Sequence, residues 1–238
     1  MVAGLLAGVA VLGAVVALLA PGMGGDGGPS EAAPAAAIDP DLVRVGTAAL
    51  PLIDVYASPS RSVVTQTLEH PTPAGGPLVF VIEAEWEDWL KVRVPAAPAG
   101  EVGWIRAVGV EISEHHTRIS IDLHDHLLVA RSEGAIVLRA PIAVGSHDKP
   151  KPGTTFVAAR IDPSERKNTY GNGALALAGY ANGPETLFRG SGLVGLHTAP
   201  DDASLGQTVR RGSIGLAPQD AAALFDLVPL GTPVVVTE

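Results

Sequence analysis

The apolar pattern of the chain changes character along its length. Residues 2–20 contain only Val, Ala, Gly and Leu, roughly the nineteen apolar residues that a bilayer-spanning helix needs. The first charge is Asp26 and the first basic residue is Arg44. From Pro21 to Pro40 glycine, proline and alanine replace any periodicity, the composition of a flexible spacer and not of a core. An N-terminal apolar helix over residues 1–20, acting as export signal or anchor, and a low-complexity linker over 21–42 are therefore expected. A signal peptide normally begins with basic residues, which this run lacks, and hydropathy does not separate a cleaved signal from a retained anchor. Either way the remainder is expected outside the cytoplasm, in the cell envelope. An uncleaved segment would make the membrane a partner.

Over residues 43–113 the apolar positions come in short runs bounded by turn signals. Val45, Leu52, Val55 and Tyr56 precede a turn at Ser58-Pro59-Ser60, and runs follow at 78–82, 86–94 and 102–105. In the second of these Leu90, Val92 and Val94 alternate with Lys91 and Arg93, the period of a half-buried strand. Closely spaced short strands suggest a small barrel. All three tryptophans fall here, and indole burial is expected to help hold so small a module together; Trp86 and Trp104 belong either to its core or to a groove. Glu83, Glu85 and Glu87 read as a solvated acidic strand face. The stretches DVYASPS, DWLKVRVP and GEVGWI resemble a bacterial Src-homology-3-like domain, which implies a small β-barrel over 43–113.

His115-His116 reads as the join to a second module. Beyond it Ile119, Ile121 and Leu123 alternate with Ser120 and Asp122, again a strand pattern. Turns at His124-Asp125-His126 and Glu133-Gly134 separate apolar runs at 127–130, 136–138 and 141–145. Pro218–Leu227 starts with proline, carries Asp220 early and has Ala222, Leu224 and Phe225 on one side, which predicts a short surface helix. Residues 232–236 close the chain as a strand. The fold class expected is mainly β, with one or two short helices.

Composition narrows the function. The 28 glycines and 20 prolines fit many turns between short strands. A formal net charge of −9 argues against nucleic acid, since phosphate binding needs clustered Lys and Arg. The absence of cysteine removes disulfides, thiolate metal sites and thiol nucleophiles together. His124 and His126, with His115 and His116, invite a metal reading, but no third ligand falls at a recognisable spacing and a polar turn accounts for them. No metal and no cofactor are expected. A monomer is expected.

The stretch from Gly192 to Val236 carries the candidate chemistry. Leu196-His197-Thr198 is followed by Ser204-Leu205-Gly206, by Arg210-Arg211-Gly212-Ser213-Ile214-Gly215 and by Gly231-Thr232-Pro233-Val234. Upstream stand Asp122-Leu123, the Pro150/Pro152-Gly153-Thr154-Thr155-Phe156 step and Tyr180. In order and spacing these resemble the L,D-transpeptidases, cysteine enzymes that make alternative cross-links in bacterial peptidoglycan. The resemblance spans residues 118–236 and implies a β-sandwich catalytic domain over 117–238. It further implies acyl transfer between peptidoglycan stem peptides in cell-wall remodelling. By the same resemblance Ser213 stands at the nucleophile's position, His197 is the base, and Gly212 with Ser213 supplies backbone N–H groups to the oxyanion. Arg211, Arg210, Tyr180 and Thr198 would meet the substrate.

The departures from that pattern bear on activity. The family's cysteine is Ser213, its preceding histidine is Arg211, its Ser/Thr is Arg210 and its following arginine is Gly215. A thiol is partly ionised at neutral pH, whereas a serine hydroxyl depends on a base in the transition state; Asp201 or Asp202 would steady His197 in that role. Three readings stay open: a working serine nucleophile, a peptidoglycan-binding or scaffolding module without catalysis, and a purely structural envelope protein.

Overall fold

The computed structural model of the chain describes residues 39–59, 63–72, 76–96, 101–146, 150–162, 173–178, 194–209 and 214–238. The expected apolar helix over 1–20 and the linker as far as residue 38 lie outside them. Among the described residues no helix is long and apolar enough to cross a membrane.

Seven strands come first: β1 (Val43–Ala48), β2 (Leu52–Tyr56), β3 (Val64–Glu69), β4 (Val79–Trp86), β5 (Trp89–Arg93), β6 (Val102–Arg106) and β7 (Val110–His115). Among the described residues they form a single sheet in the order β3-β2-β6-β5-β4-β1-β7. Alternation sends Ile53, Val55, Phe80, Ile82, Leu90, Val92 and Ile105 into one core. The run expected over 86–94 is in fact interrupted. Glu87 adopts φ 54° in a two-residue turn, so that Trp86 and Trp89 become cross-strand partners.

Two expectations need correction here. Trp89 is buried, but on the face opposite Phe80, which among the described residues is the only aromatic residue in that core; Trp86 and Trp104 share the face of Trp89. The acidic row is also broken. A bulge between Ile82 and Ala84 turns Glu83 towards Lys91 and Arg93, Glu85 pairs with Arg44, and Glu87 lies in the turn.

After His116-Thr117 come β8 (Arg118–Asp122), β9 (Leu127–Ser132), β10 (Ala135–Pro141), β11 (Ala143–Gly145), β12 (Gly153–Ile161), β13 (Ala174–Leu177) and β14 (Gly195–Thr198). β15 (Thr208–Val209), β16 (Ile214–Leu216), helix α1 (Pro218–Leu227) and β17 (Pro233–Thr237) complete the chain. The strand order is β10-β9-β8-β17-β12-β13-β14-β16-β11-β15. β12 belongs to both halves of this sheet: residues 153–156 pair with β17 and residues 157–161 with β13. The halves enclose one core, with Ile119, Ile121, Val234 and Val236 from one side and Leu175, Leu177, Leu196 and Ile214 from the other. Helix α1 closes it with Ala221 and Leu224, its first turn opened by Pro218, whose missing N–H costs nothing there.

The two sheets meet along a second apolar cluster. Val43, Val45, Val79 and Val81 pack against Phe156, Ala158, Ala159, Ala176 and Ala178. Gly231, at φ +81°, lies against Val45 so closely that an added Cβ would overlap its side chain. Residues of the expected linker join this seam: Asp39 bonds His116 at 2.9 Å and Asp41 stands 3.4 Å from Arg118.

His115 sits at the same junction. Its Nδ1 accepts the Thr117 N–H at 3.1 Å, and its Nε2 is buried close to the Leu230 backbone. Burial outweighs the opposing Leu230 backbone contact and, with His116 and Arg118 nearby, holds the imidazole below the ordinary histidine value. The folded protein thus favours the neutral ring. That contribution to stability is complete above the unfolded value, about 6.5, and is lost as pH falls through it towards the depressed folded value. His115→Asn keeps an acceptor for Thr117 and removes the titration. Urea unfolding at pH 7.5 and at pH 5 should show a smaller loss of stability in this variant than in the parent; equal losses would contradict the assignment.

Candidate active site

His197 and Thr198 end β14, a strand flanked on both sides. In register, Leu196 faces Leu175 on β13 and Ile214 on β16, while His197 faces Ala174 and Gly215. The row continues to Ala143 on β11. Since Leu196, Leu175 and Ile214 all enter the main core, alternation turns His197, Ala174 and Gly215 to the opposite face. Ala176 and Ala178 share that face and are covered by the seam. The half-buried imidazole therefore lies on the side of the sheet where the N-terminal strands dock.

The neighbours of His197 are small for a structural reason. A Cβ on Gly215 would stand 3.0 Å from both Cα and Cβ of Ala199 and 3.3 Å from the Ala143 methyl. The chain after Thr198 is drawn onto β16 by the Ala199 N–H, which donates to the Leu216 carbonyl at 2.8 Å. At this spacing a side chain on residue 215 would require Ala199 to give by a few tenths of an ångström.

The ring is oriented by backbone. His197 Nδ1 lies 2.8 Å from the Thr198 carbonyl oxygen, which can only accept, so Nδ1 carries the proton and Nε2 holds the lone pair of the neutral ring. Asp201 instead accepts from the Ser204 N–H at 2.8 Å, capping the short turn Asp202–Ser204. The orienting acceptor for His197 is thus a carbonyl on the adjacent residue, where the sequence suggested a carboxylate. Thr198, expected at the substrate, contributes this carbonyl and is itself half-buried.

Ser213, Gly212, Arg211, Arg210 and Tyr180 lie outside the described residues. The structure brings together His197, Thr198, Ala174, Ala199 and Gly215, of which only the first two were expected to act at the site. The role of the small residues is hard to see beforehand, because alanine and glycine carry no chemistry; only their register opposite a histidine gives them one. The His-x-His pair is a turn. Asp122 accepts the N–H groups of His124 and Asp125, and His126 reaches Thr208 at 3.2 Å. Among the described residues no three His, Asp or Glu side chains converge as metal ligands.

Residues 116–236 match the YkuD family, the L,D-transpeptidase catalytic domain. The chain belongs to that family. No curated protein matches it. Among solved structures it is similar to a cysteine-to-serine mutant of Enterococcus faecium L,D-transpeptidase, with 22% identity, 51% of this chain and 49% of that chain covered, and a TM-score of 0.37. It is also similar to an L,D-transpeptidase from Mycobacterium smegmatis, at 18% identity over 78% of this chain and 99% of that one, TM-score 0.43. A Mycobacterium tuberculosis H37Rv L,D-transpeptidase gives 17% identity, 78% and 80% coverage and a TM-score of 0.44. The match spans about half the length of the Enterococcus protein.

The tautomer is directly measurable. Nitrogen-15 NMR of the neutral His197 ring should show the proton on Nδ1 and the lone pair on Nε2. A proton on Nε2 would contradict the orienting role of the Thr198 carbonyl.

Proposed function

We propose that this chain performs acyl transfer between peptidoglycan stem peptides, with Ser213 as nucleophile and His197 as base. The observation that carries the reading is the His197 Nδ1 contact to the Thr198 carbonyl, which turns the basic Nε2 of a sheet-end histidine into a directed acceptor. Covalent continuity adds support: Ser213 is one peptide bond before Ile214, and Ile214 is the register partner of Leu196 beside His197.

In the proposed reaction His197 Nε2 takes the Ser213 hydroxyl proton as the oxygen bonds to the donor peptide's carbonyl carbon. The N–H groups of Gly212 and Ser213 receive the oxyanion. The bond to the terminal D-amino acid breaks, its amine leaves with the proton held by His197, and an ester remains on Ser213. An amine of a neighbouring stem then attacks the ester, passing its proton through His197 to the serine oxygen. Arg210, Arg211, Tyr180 and Thr198 are the proposed substrate contacts.

The same reading makes residues 43–113 a Src-homology-3-like barrel beside the catalytic domain, residues 1–20 a signal or anchor, and the envelope the site of action. A second reading is favoured by one observation. Gly215 holds the position of the family's arginine, and a side chain there would crowd Ala199, so substrate grip would differ and the domain would bind the polymer without acylation.

Intact-protein mass spectrometry after incubation with a stem tetrapeptide separates the two. The acyl reading predicts an adduct that Ser213→Ala abolishes and Ser213→Cys increases. No adduct in the parent or in Ser213→Cys, with co-sedimentation on isolated cell wall retained by Ser213→Ala, would leave the binding reading alone.

A further inference from the structure

The outward face of the seven-stranded sheet is unlike the rest of the molecule. Tyr56, Trp104 and Lys91 are successive cross-strand neighbours on β2, β6 and β5. In the next row Trp89 stands between Arg106 and Trp86. Trp89 is buried as a fixed base, with the Tyr56 ring edge-on at 5.1 Å and the Arg106 guanidinium 4.7 Å above it. Trp86 is 49% exposed, and Trp104 and Tyr56 are half-buried. The core beneath uses none of these rings. Large aromatic area left at a surface forgoes the transfer energy that burial would supply, and Trp, Tyr and Arg are the residues that carry binding energy at interfaces.

Charge selects the class of ligand. Glu83 lies 3.8 Å from Lys91 and 2.8 Å from Arg93, and Asp88 pairs with Arg106; Glu87 is exposed beside them. Cations and anions balance, so the strip has no field that would draw a polyanion or a polycation. It offers flat aromatic area edged by fixed donors and acceptors.

We propose that this strip binds a saccharide chain. The C–H groups on the face of a pyranose ring are weakly positive and lie well against the negative face of an indole. Hydroxyl and acetamido groups can meet the Lys91 ammonium and the Glu83 carboxylate. Trp86 and Trp104 are two strand spacings apart, about 10 Å across the sheet, a separation bridged by an oligosaccharide and not by one sugar ring. Arg93, at the edge of the strip, is the cross-strand neighbour of Val81, a seam residue. The strip thus begins where the N-terminal sheet docks on the His197 side of the catalytic sheet. A glycan strand lying along it would direct its attached peptides to that side, and this identification of the natural polymer rests on the cell-wall reading proposed above.

The test uses the full chain and a β-1,4-linked N-acetylglucosamine tetramer, followed by tryptophan fluorescence. Saturable binding is expected, weakened on the order of tenfold by Trp86→Ala and by Trp104→Ala, and unchanged in Ser213→Ala. Trp104→Phe, which keeps a flat ring, should retain most of the affinity, and unfolding midpoints show that the variants are folded. No saturable change with millimolar tetramer overturns the proposal. So does binding untouched by both alanine substitutions, or a signal given by an acidic peptide and not by the tetramer. The readout needs no turnover, so a chain that takes no acyl group yet binds the tetramer in this way bears the proposal out while the catalytic reading fails.

Discussion

Strand β12 is the constraint around which the described chain is organised. Residues 155–159 are all buried, and they divide between two environments, with a bulge between Val157 and Ala159 that leaves Ala158 and Ala159 on the same side. Val157 enters the core closed by α1, whereas Phe156 and Ala158 enter the seam. A strand that is apolar on both faces has to be covered on both. One cover is its own sheet, folded over at β12; the other is the valine stripe of β1 and β4. Buried apolar area at about 25 cal/mol per Å² drives that docking, and Gly231 and the alanines let the backbones approach. The ion pairs of Asp39 and Asp41 at the rim are exposed and contribute little beside it.

The site follows from the same arrangement. One face of the catalytic sheet is committed to its core, which leaves the other for both the seam and His197. The imidazole is oriented by the carbonyl next to it, a device that needs no additional side chain and holds as long as β14 and β16 stay paired. Small residues at 174, 199 and 215 keep the strands close and leave little space beside residue 215. The family's catalytic domain is present, and the proposal that Ser213 acts with His197 concerns only its centre.

Much of this was readable in the sequence, for identifiable reasons. The helix at Pro218–Leu227 announced itself through its proline, and β8 and β5 through clean alternation of one buried face. Family membership was carried by the order of short motifs between His197 and Val234. β12 and β13 were not read as strands, because strands buried on both faces lose the period-two signal, and ALAL at residues 174–177 is equally good helix material. Indole burial was expected for its size, with Trp86 and Trp104 left between core and groove. Alternation set by Leu90 and Val92 sends Trp89 outward, and the turn at Glu87 puts Trp86 beside it. The acceptor for His197 was sought among carboxylates, since a backbone carbonyl leaves no mark on residue type.

The partnership of residue 213 with His197 is tested most directly by placing a thiol there and measuring how fast it is alkylated. An imidazole within reach raises the thiolate fraction and with it the rate. Ser213→Cys should react with iodoacetamide at neutral pH on the order of tenfold faster than the same thiol in Ser213→Cys/His197→Ala. Equal rates in the two proteins would mean that His197 does not serve residue 213, and the shared site would not exist.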